Sequence, residues 1–176
     1  MKEKIKITKQ VRKAYYKNLV ATNKATITGT VFDQVELNNG NTIFVAQNST
    51  DNFLHSVTAA PFAAAIKIQL LAGNIVPAII YDNYFETAPE EVQQFIIQHE
   101  IGHIVNKDLE NPKKCFRTFV KRSFGLLTDF EHKADTYAAT MLGLDKCIRA
   151  LSWMKNNTDL PFLCKLEISN RMKALR

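Results

Sequence analysis

Glycine and proline are scarce in this chain, which has 6 Gly and 5 Pro among its 176 residues. The sequence also lacks internal repeats, so collagen-like and solenoid architectures are excluded. Hydrophobic residues make up 46% of the chain and charged residues 23%. This balance excludes intrinsic disorder, because enough apolar surface can be buried to offset the chain entropy. Length and composition therefore predict a single domain over residues 1–176.

Long hydrophobic runs are missing as well. The two longest uncharged stretches, residues 53–66 and 68–81, are separated by Lys67 and interrupted by prolines. Each is shorter than the ~20 apolar residues that a membrane-spanning helix needs. The N-terminus is basic but lacks the continuous apolar segment of a signal peptide. We therefore expect no membrane span and a cytoplasmic location.

Cysteine is too sparse to indicate a metal or redox motif. The three cysteines, Cys115, Cys147 and Cys164, form no CxxC pair. Their odd number and wide spacing fit a reducing compartment. We expect each of them to be a small buried hydrophobe and not a nucleophile.

Acidic residues are nearly absent from the first 17 positions, where Glu3 stands against seven basic side chains. The resulting excess of +6 equals the net charge of the whole chain. A localised basic arm over residues 1–17 can bind nucleic acid, an anionic surface or an acidic partner. The same segment has apolar residues at helical spacing, which equally indicates an ordinary surface helix. Residues 1–22 are therefore predicted to be a basic N-terminal helix or arm.

Periodicity in the first half of the chain predicts mostly strands. The predicted elements are a helix over Thr8–Ala21, a strand over Thr26–Phe32, a hairpin of Val35–Leu37 and Thr42–Val45 around an Asn-Gly turn, an Ala-rich helix over Thr58–Leu71 and a strand over Ile75–Tyr81.

Pro77 lies inside the last of these strands. Proline has no N–H for a central ladder, so the strand is predicted at a sheet edge. An extended substrate could then align by backbone pairing with the four residues Ala78, Ile79, Ile80 and Tyr81. The alternative is a strand that is internal or covered by the N-terminal arm.

Helical signals dominate the second half. The predicted helices run from a capping box at Thr87–Glu90 to about Asn106, over Thr128–Leu142 with a stop at Gly143, over Asp145–Asn156 and over Ser169–Arg176. The basic segment 113–122 is predicted to be a loop or a short connecting helix. The whole pattern predicts an α+β fold, with a small, mostly antiparallel N-terminal sheet packed on a helix and a helical C-terminal half.

The first long helix contains the HExxH pattern, His99-Glu100-Ile101-Gly102-His103. Histidines four positions apart lie on one helical face, so both imidazoles can reach one zinc ion. Glu100 is rotated by about 100° from His99, where a general base can take a proton from water at the metal. The surrounding helix is apolar almost all round, and unpaired His and Glu are costly in a buried helix. The alternative is a pair of satisfied core histidines and a paired surface glutamate.

A catalytic zinc site needs a third protein ligand and an open fourth position. The metzincin pattern would require glycine at position 106 and histidine at position 109, where the chain has Asn106 and Leu109. That class is therefore excluded.

Glu131 and Asp135 share one face of the next long helix. We predict that Glu131 is the third ligand and that Asp135 accepts a hydrogen bond from a ligating histidine, which fixes its tautomer. The alternatives are His132 as the ligand, or Glu131 as the capping-box partner of Thr128.

Three segments, Pro77–Asp82, Pro89–His103 and Glu131–Asp135, together resemble the gluzincin metallopeptidases. Within them the chain is most similar to the HtpX and CAAX-protease-like branch and its small soluble members, the minigluzincins. The resemblance covers about residues 70–176, and the tail from Arg171 to Leu175 is similar to the closing helix of that branch. The His-Pro pair that precedes the family's terminal arginine is absent, so Arg171 stays open between an active-site and a helix-surface role.

The resemblance implies a zincin-like fold, one zinc ion per chain held by His99, His103 and Glu131, and base catalysis by Glu100. The implied function is hydrolysis of peptide bonds in a peptide or protein substrate, and the implied site can be latent. Four residues are open candidates for a second oxyanion donor: Tyr81, Tyr84, Tyr137 and Arg171.

Two other functions stay open. One is a peptidase of the phage and mobile-element immunity type, which acts on a repressor. The other is a non-catalytic zinc-containing module that binds through residues 1–17. Intact Glu100 argues against the module, because a structural zinc site has no use for a base.

Overall fold

Seven strands precede five helices in the part of the chain that the structure describes. This computed structural model describes residues 14–15, 19–20, 26–27, 31–36, 42–47, 62–69, 74–81, 83–110, 126–157, 160 and 162–176, with the backbone alone up to residue 42. The strands are β1 (Ala14–Tyr15), β2 (Leu19–Val20), β3 (Thr26–Ile27), β4 (Val31–Glu36), β5 (Thr42–Gln47), β6 (Ala63–Gln69) and β7 (Ile75–Tyr81). The helices are α1 (Asn83–Thr87), α2 (Glu90–Val105), α3 (Asp129–Leu142), α4 (Leu144–Asn157) and α5 (Phe162–Ala174), with a 3₁₀ turn at Asp108–Glu110. The predicted α+β class is confirmed.

Five of the strands form one sheet in the order β1-β4-β5-β7-β6. Only the β5–β7 pair is parallel, so the sheet is mostly antiparallel, as predicted. The predicted hairpin is the β4–β5 pair, in which Glu36 faces Thr42. The remaining strands, β2 and β3, form a separate ribbon that approaches β6 without joining its ladder.

The predicted helix over Thr8–Ala21 is wrong in the part that the structure describes. Ala14–Tyr15 pairs with β4, and Leu19–Val20 pairs with β3. A few apolar residues at helical spacing are a weak local signal, and pairing with distant strands overrides it. The other residues of the basic arm, and the predicted connecting segment 113–122, lie outside the described residues.

The predicted Ala-rich helix over Thr58–Leu71 is also wrong, because Ala63–Gln69 is strand β6. Burial alternates along it: Ala64, Ile66 and Ile68 are buried, and the residues between them are half-buried. This period of two is the pattern of a strand. Alanine's helix preference is worth less than ~1 kcal/mol per residue, so pairing along the whole length of β7 outweighs it.

Strand β7 lies inside the sheet, which corrects the predicted edge position. Ala78 to Tyr81 pair with β5 on one side and with β6 on the other. The ladder with β5 begins at Ala78, directly after Pro77, so proline stands outside the part that is paired on both sides. The four residues Ala78, Ile79, Ile80 and Tyr81 therefore cannot align a substrate, and β6 is the end strand on that side of the described sheet.

The sheet packs on helix α2, as predicted, and α2 also contacts helices α3 and α4. The core joins sheet residues such as Ile43 and Ile79 to Phe95 and Ile96 of α2, and to Leu151 of α4. None of the described helices has the length and apolar character needed to cross a bilayer.

Four helix boundaries test the predicted start and stop signals. The N-cap of α2 is Pro89 without a side-chain bond, and Thr87 ends α1, so the predicted capping box is wrong. The N-cap of α3 is Thr128, and Gly143 ends that helix with a φ of 92°, which confirms the prediction there. Helix α5 begins at Phe162, earlier than the predicted Ser169.

The backbones of α2 and α3 touch at Gly102. A Cβ atom on this glycine would lie 2.9 Å from the Cα of Ala134 and 3.0 Å from its carbonyl oxygen. Both atoms belong to the backbone of α3, so neither can rotate aside. The missing side chain of Gly102 therefore sets the distance at which the two helices pack.

We predict that Gly102→Ala lowers the free energy of unfolding by about 1–3 kcal/mol, the usual cost of overfilling a packed core. Alanine is the better helix former by ~1 kcal/mol, so an uncrowded position would give the opposite sign. Urea unfolding followed by circular dichroism measures the difference, with exposed Gln94→Ala on the same helix as the control. A Gly102→Ala protein that is more stable than wild type would contradict the close contact.

Candidate metal centre

The three predicted metal ligands meet in one place. His99 and His103 project from the same face of α2, and their Nε2 atoms lie 3.1 Å apart. Glu131 enters from α3, with carboxylate oxygens 3.2 Å from Nε2 of His99 and 3.7 Å from Nε2 of His103. One ligand atom from each residue can be chosen so that all lie within 4.8 Å of one another. This group can hold a metal ion.

Hydrogen bonding at the far side of each imidazole supports that use. Nδ1 of His99 lies 2.8 Å from Asp135, and Nδ1 of His103 lies 2.9 Å from Asp108. A neutral imidazole whose Nδ1–H donates to a carboxylate has its lone pair on Nε2. Two such lone pairs then converge with the Glu131 carboxylate, an arrangement that is stable only with a proton or a metal ion between the three groups. The donor set therefore fits a metal ion.

Arg171 of α5 closes the network behind His99. Its Nε donates to Asp135 at 2.8 Å and its Nη2 donates to the other oxygen at 2.6 Å. Its Nη1 lies 3.5 Å from Glu131. The residue is only 5% exposed, so the helix-surface role is wrong. Arg171 offsets the charge of two buried carboxylates and orients Asp135, in a two-pronged geometry that lysine cannot supply.

The same contacts shift the pKa values of the network. Burial and the charge of Arg171 act to lower the pKa of His99, but the charge and hydrogen bonds of Asp135 and Glu131 outweigh them and raise it to about 9. Burial acts to raise the pKa of Asp135, but Arg171 and His99 outweigh it and lower it to about 2. Asp135 is therefore an anion at neutral pH, and His99 without a metal holds a proton that an incoming cation must displace.

Asp108 is the residue of this site that sequence analysis missed. Lys107 adopts a positive φ of 58° directly after α2, and the 3₁₀ turn that follows carries Asp108 back toward the last helical turn. Asp108 is buried there and bonded to His103. The only available signal was a carboxylate five positions after the second histidine. This spacing predicts no contact between the two side chains unless the chain reverses direction after the helix.

Glu131 combines two roles that the sequence presented as alternatives. Its backbone N–H donates to the hydroxyl of Thr128 at 3.4 Å, which caps α3. Its side chain meanwhile points to the two histidines. The neighbouring His132 projects about 100° away from Glu131 around the helix, is exposed, and lies outside the group.

Glu100 is buried beside the metal group without belonging to it. Its Oε2 atom accepts a hydrogen bond from the backbone N–H of Ala65 at 2.7 Å. Among the candidate oxyanion donors, Tyr137 is half-buried close to Gly102, and the ring of Tyr81 packs at a tilt against that of Phe85. The side chain of Tyr84 lies outside the described residues.

Compared with models of known protein families, with curated proteins and with solved structures, the chain matches none of them.

We predict that Glu131→Ala abolishes tight metal binding, whereas His132→Ala binds as wild type does. Loss of a ligand should weaken affinity by more than the ~10–100-fold that loss of an orienting partner costs. Titration with Zn²⁺ against a competing chelator measures both variants. Weak binding by His132→Ala together with unchanged binding by Glu131→Ala would show that the neighbouring residue is the ligand.

Asp108 supplies a second prediction at this site. Asp108→Ala should weaken Zn²⁺ affinity by about 10–100-fold, because His103 loses the group that holds its ring and tautomer. Asp108→Asn should lose less, since its side-chain carbonyl still accepts the Nδ1–H. Glu110→Ala in the same 3₁₀ turn is exposed and serves as the control. Equal affinities for Asp108→Ala and Glu110→Ala would rule out the orienting role.

Proposed function

We propose that this chain is a zinc metallopeptidase of the gluzincin type, which hydrolyses peptide bonds. The observation that carries the proposal is the convergence of His99, His103 and Glu131 beside Glu100, a carboxylate that the metal group leaves unused. A site whose only task was to bind an ion would have no need for this additional buried acid.

The donor set favours zinc as the ion. Two imidazole nitrogens and one carboxylate oxygen form the ligand set of many catalytic zinc sites, which keep a fourth position for water or substrate. Calcium and magnesium prefer sets made of oxygen atoms. When bound, zinc would lower the pKa of a water molecule and polarise the scissile carbonyl.

Glu100 would then carry out the proton transfers of the reaction. One of its oxygens, Oε2, is held by Ala65, so Oε1 is the atom that we expect to take the proton of the attacking water. Glu100 would deliver the same proton to the nitrogen of the leaving amine. Asp135 and Asp108 keep the two imidazoles turned with Nε2 inward, and Arg171 keeps Asp135 in place.

The substrate strand is placed on β6 in this proposal. Among the described strands β6 lies at one of the two ends of the sheet, and Ala65 in its middle contacts Glu100. An extended peptide that pairs with the outer side of β6 would bring a backbone amide to the carboxylate. Backbone pairing contributes affinity without selecting side chains, so the proposal specifies peptides in an extended conformation and no particular sequence.

The decisive test is Glu100→Gln. The amide has the same shape and still accepts the Ala65 N–H, but it cannot take a proton, so hydrolysis should fall by about 100-fold or more while zinc and fold are retained. Glu90→Gln, the same exchange at an exposed position of the same helix, should keep full activity. Mass spectrometry of a peptide library, together with elemental analysis, measures both properties.

Two outcomes would contradict the proposal. Activity of Glu100→Gln within a few-fold of wild type would remove Glu100 from the mechanism. Zinc binding without cleavage of any peptide by wild type would favour a non-catalytic zinc module.

A further inference from the structure

A backbone hydrogen bond connects strand β6 to the candidate site. The N–H of Ala65 donates to Oε2 of Glu100 at 2.7 Å, although 35 residues separate the two positions. Ala65 faces Ile79 of β7 in the antiparallel ladder. The bond therefore joins an end strand of the described sheet to the helix that carries both histidines.

The direction of this N–H follows from strand geometry. In an antiparallel pair the N–H and C=O of one residue both point toward the partner strand or both point away. Because the Ala65 N–H points to Glu100, the polar groups of Ala65 face away from β7, and those of Ala64 and Ile66 face toward it. The bond to Glu100 therefore uses an N–H group that takes no part in the β6–β7 ladder, so no hydrogen bond between these strands is lost.

The bond restricts where the carboxylate can stand. Hydrogen bonds from a backbone N–H to an ionised carboxylate are short and strong. Glu100 is attached to α2 at its Cα and held by β6 at Oε2, so the second oxygen has a defined direction. A general base must be held in a fixed position, because a displacement of its reacting oxygen by about 1 Å can lower the rate by on the order of 100-fold.

We propose that the backbone N–H of Ala65 is a positioning group for Glu100. The inference rests on the proposed function, in which Glu100 is the general base. Ala65 does not touch the reacting atoms and acts through the carboxylate. Strand β6, which we expect to bind the substrate, thereby also orients the carboxylate of Glu100. The same strand then fixes the position of the peptide relative to the base.

Hydrogen exchange of single amides, followed by NMR, tests the contact without any need for activity. The Ala65 amide should be protected in wild type and exchange about 10-fold faster or more in Glu100→Ala, because its acceptor is gone. Glu100→Gln should keep most of the protection. The amides of Ile66 and Ile68, which point toward β7, are internal controls and should not change.

Replacement of the Ala65 N–H group by oxygen tests whether the bond to Glu100 contributes to catalysis. Replacing residue Ala65 by lactic acid turns its N–H into an ester oxygen and leaves the side chain unaltered. We expect kcat to fall by about 10–100-fold with little change in KM. The same replacement at Ala63, whose N–H points to the same outer side of β6 where the peptide is proposed to pair, is the comparison: it should raise KM and change kcat far less. Zinc content and melting temperature should agree between the two esters.

The outcomes separate this inference from the proposed function. An Ala65 amide that exchanges freely in an active enzyme, or equal kcat values for the two esters, would overturn the inference alone. A protected amide in a protein that binds zinc but cleaves no peptide would overturn the proposed function and, with it, the catalytic role of Ala65.

Discussion

The candidate site depends on the contact between the backbones of α2 and α3. The two histidines belong to one helix, and Glu131 and Asp135 belong to the other. Their side chains contact one another across a close helix pair, in which a Cβ on Gly102 would lie 2.9 Å from the Cα of Ala134. One methyl group at that point would act on the whole group of ligands at once. The close approach at Gly102 therefore affects both the packing of the two helices and the geometry of the candidate metal group.

The close packing buries two carboxylates of α3, and helix α5 supplies the positive charge that offsets them. Glu131 and Asp135 are almost completely buried, where an unpaired carboxylate would be very costly. Arg171 of α5 supplies the opposing charge with two bonds to Asp135 and a longer contact to Glu131. The pKa of Arg171 is raised by these carboxylates even though burial acts to lower it, so its charge is permanent. A buried arrangement of this kind is strongly destabilised when one partner is removed, and this makes α5 part of the site and not an appendage.

The two histidines are oriented by carboxylates of different origin. Asp135 belongs to the rigid helix that also carries Glu131. Asp108 belongs to the 3₁₀ turn after α2, where Lys107 adopts a positive φ and reverses the chain. Glu100 is held in a third way, by a backbone N–H of β6. Sheet, turn and helices thus each contribute one contact that holds a chemically active side chain in place.

Local sequence was sufficient for those features whose cause is local. HExxH places both histidines on one face of a helix, Thr128 and Gly143 bound α3, and the Glu131/Asp135 spacing places two carboxylates on one face, because each follows from helical periodicity or from the geometry of a cap. Tertiary structure decided the rest. The Ala-rich segment became β6, because ladder pairing with β7 outweighs a helix propensity of less than ~1 kcal/mol per residue. Strand β7 could lie inside the sheet because its ladder with β5 begins at Ala78, directly after Pro77. Asp108, Arg171 and the Ala65 amide reached the site through a chain reversal, a helix crossing and a sheet register. No local pattern encodes any of these three, since each depends on where another part of the chain lies.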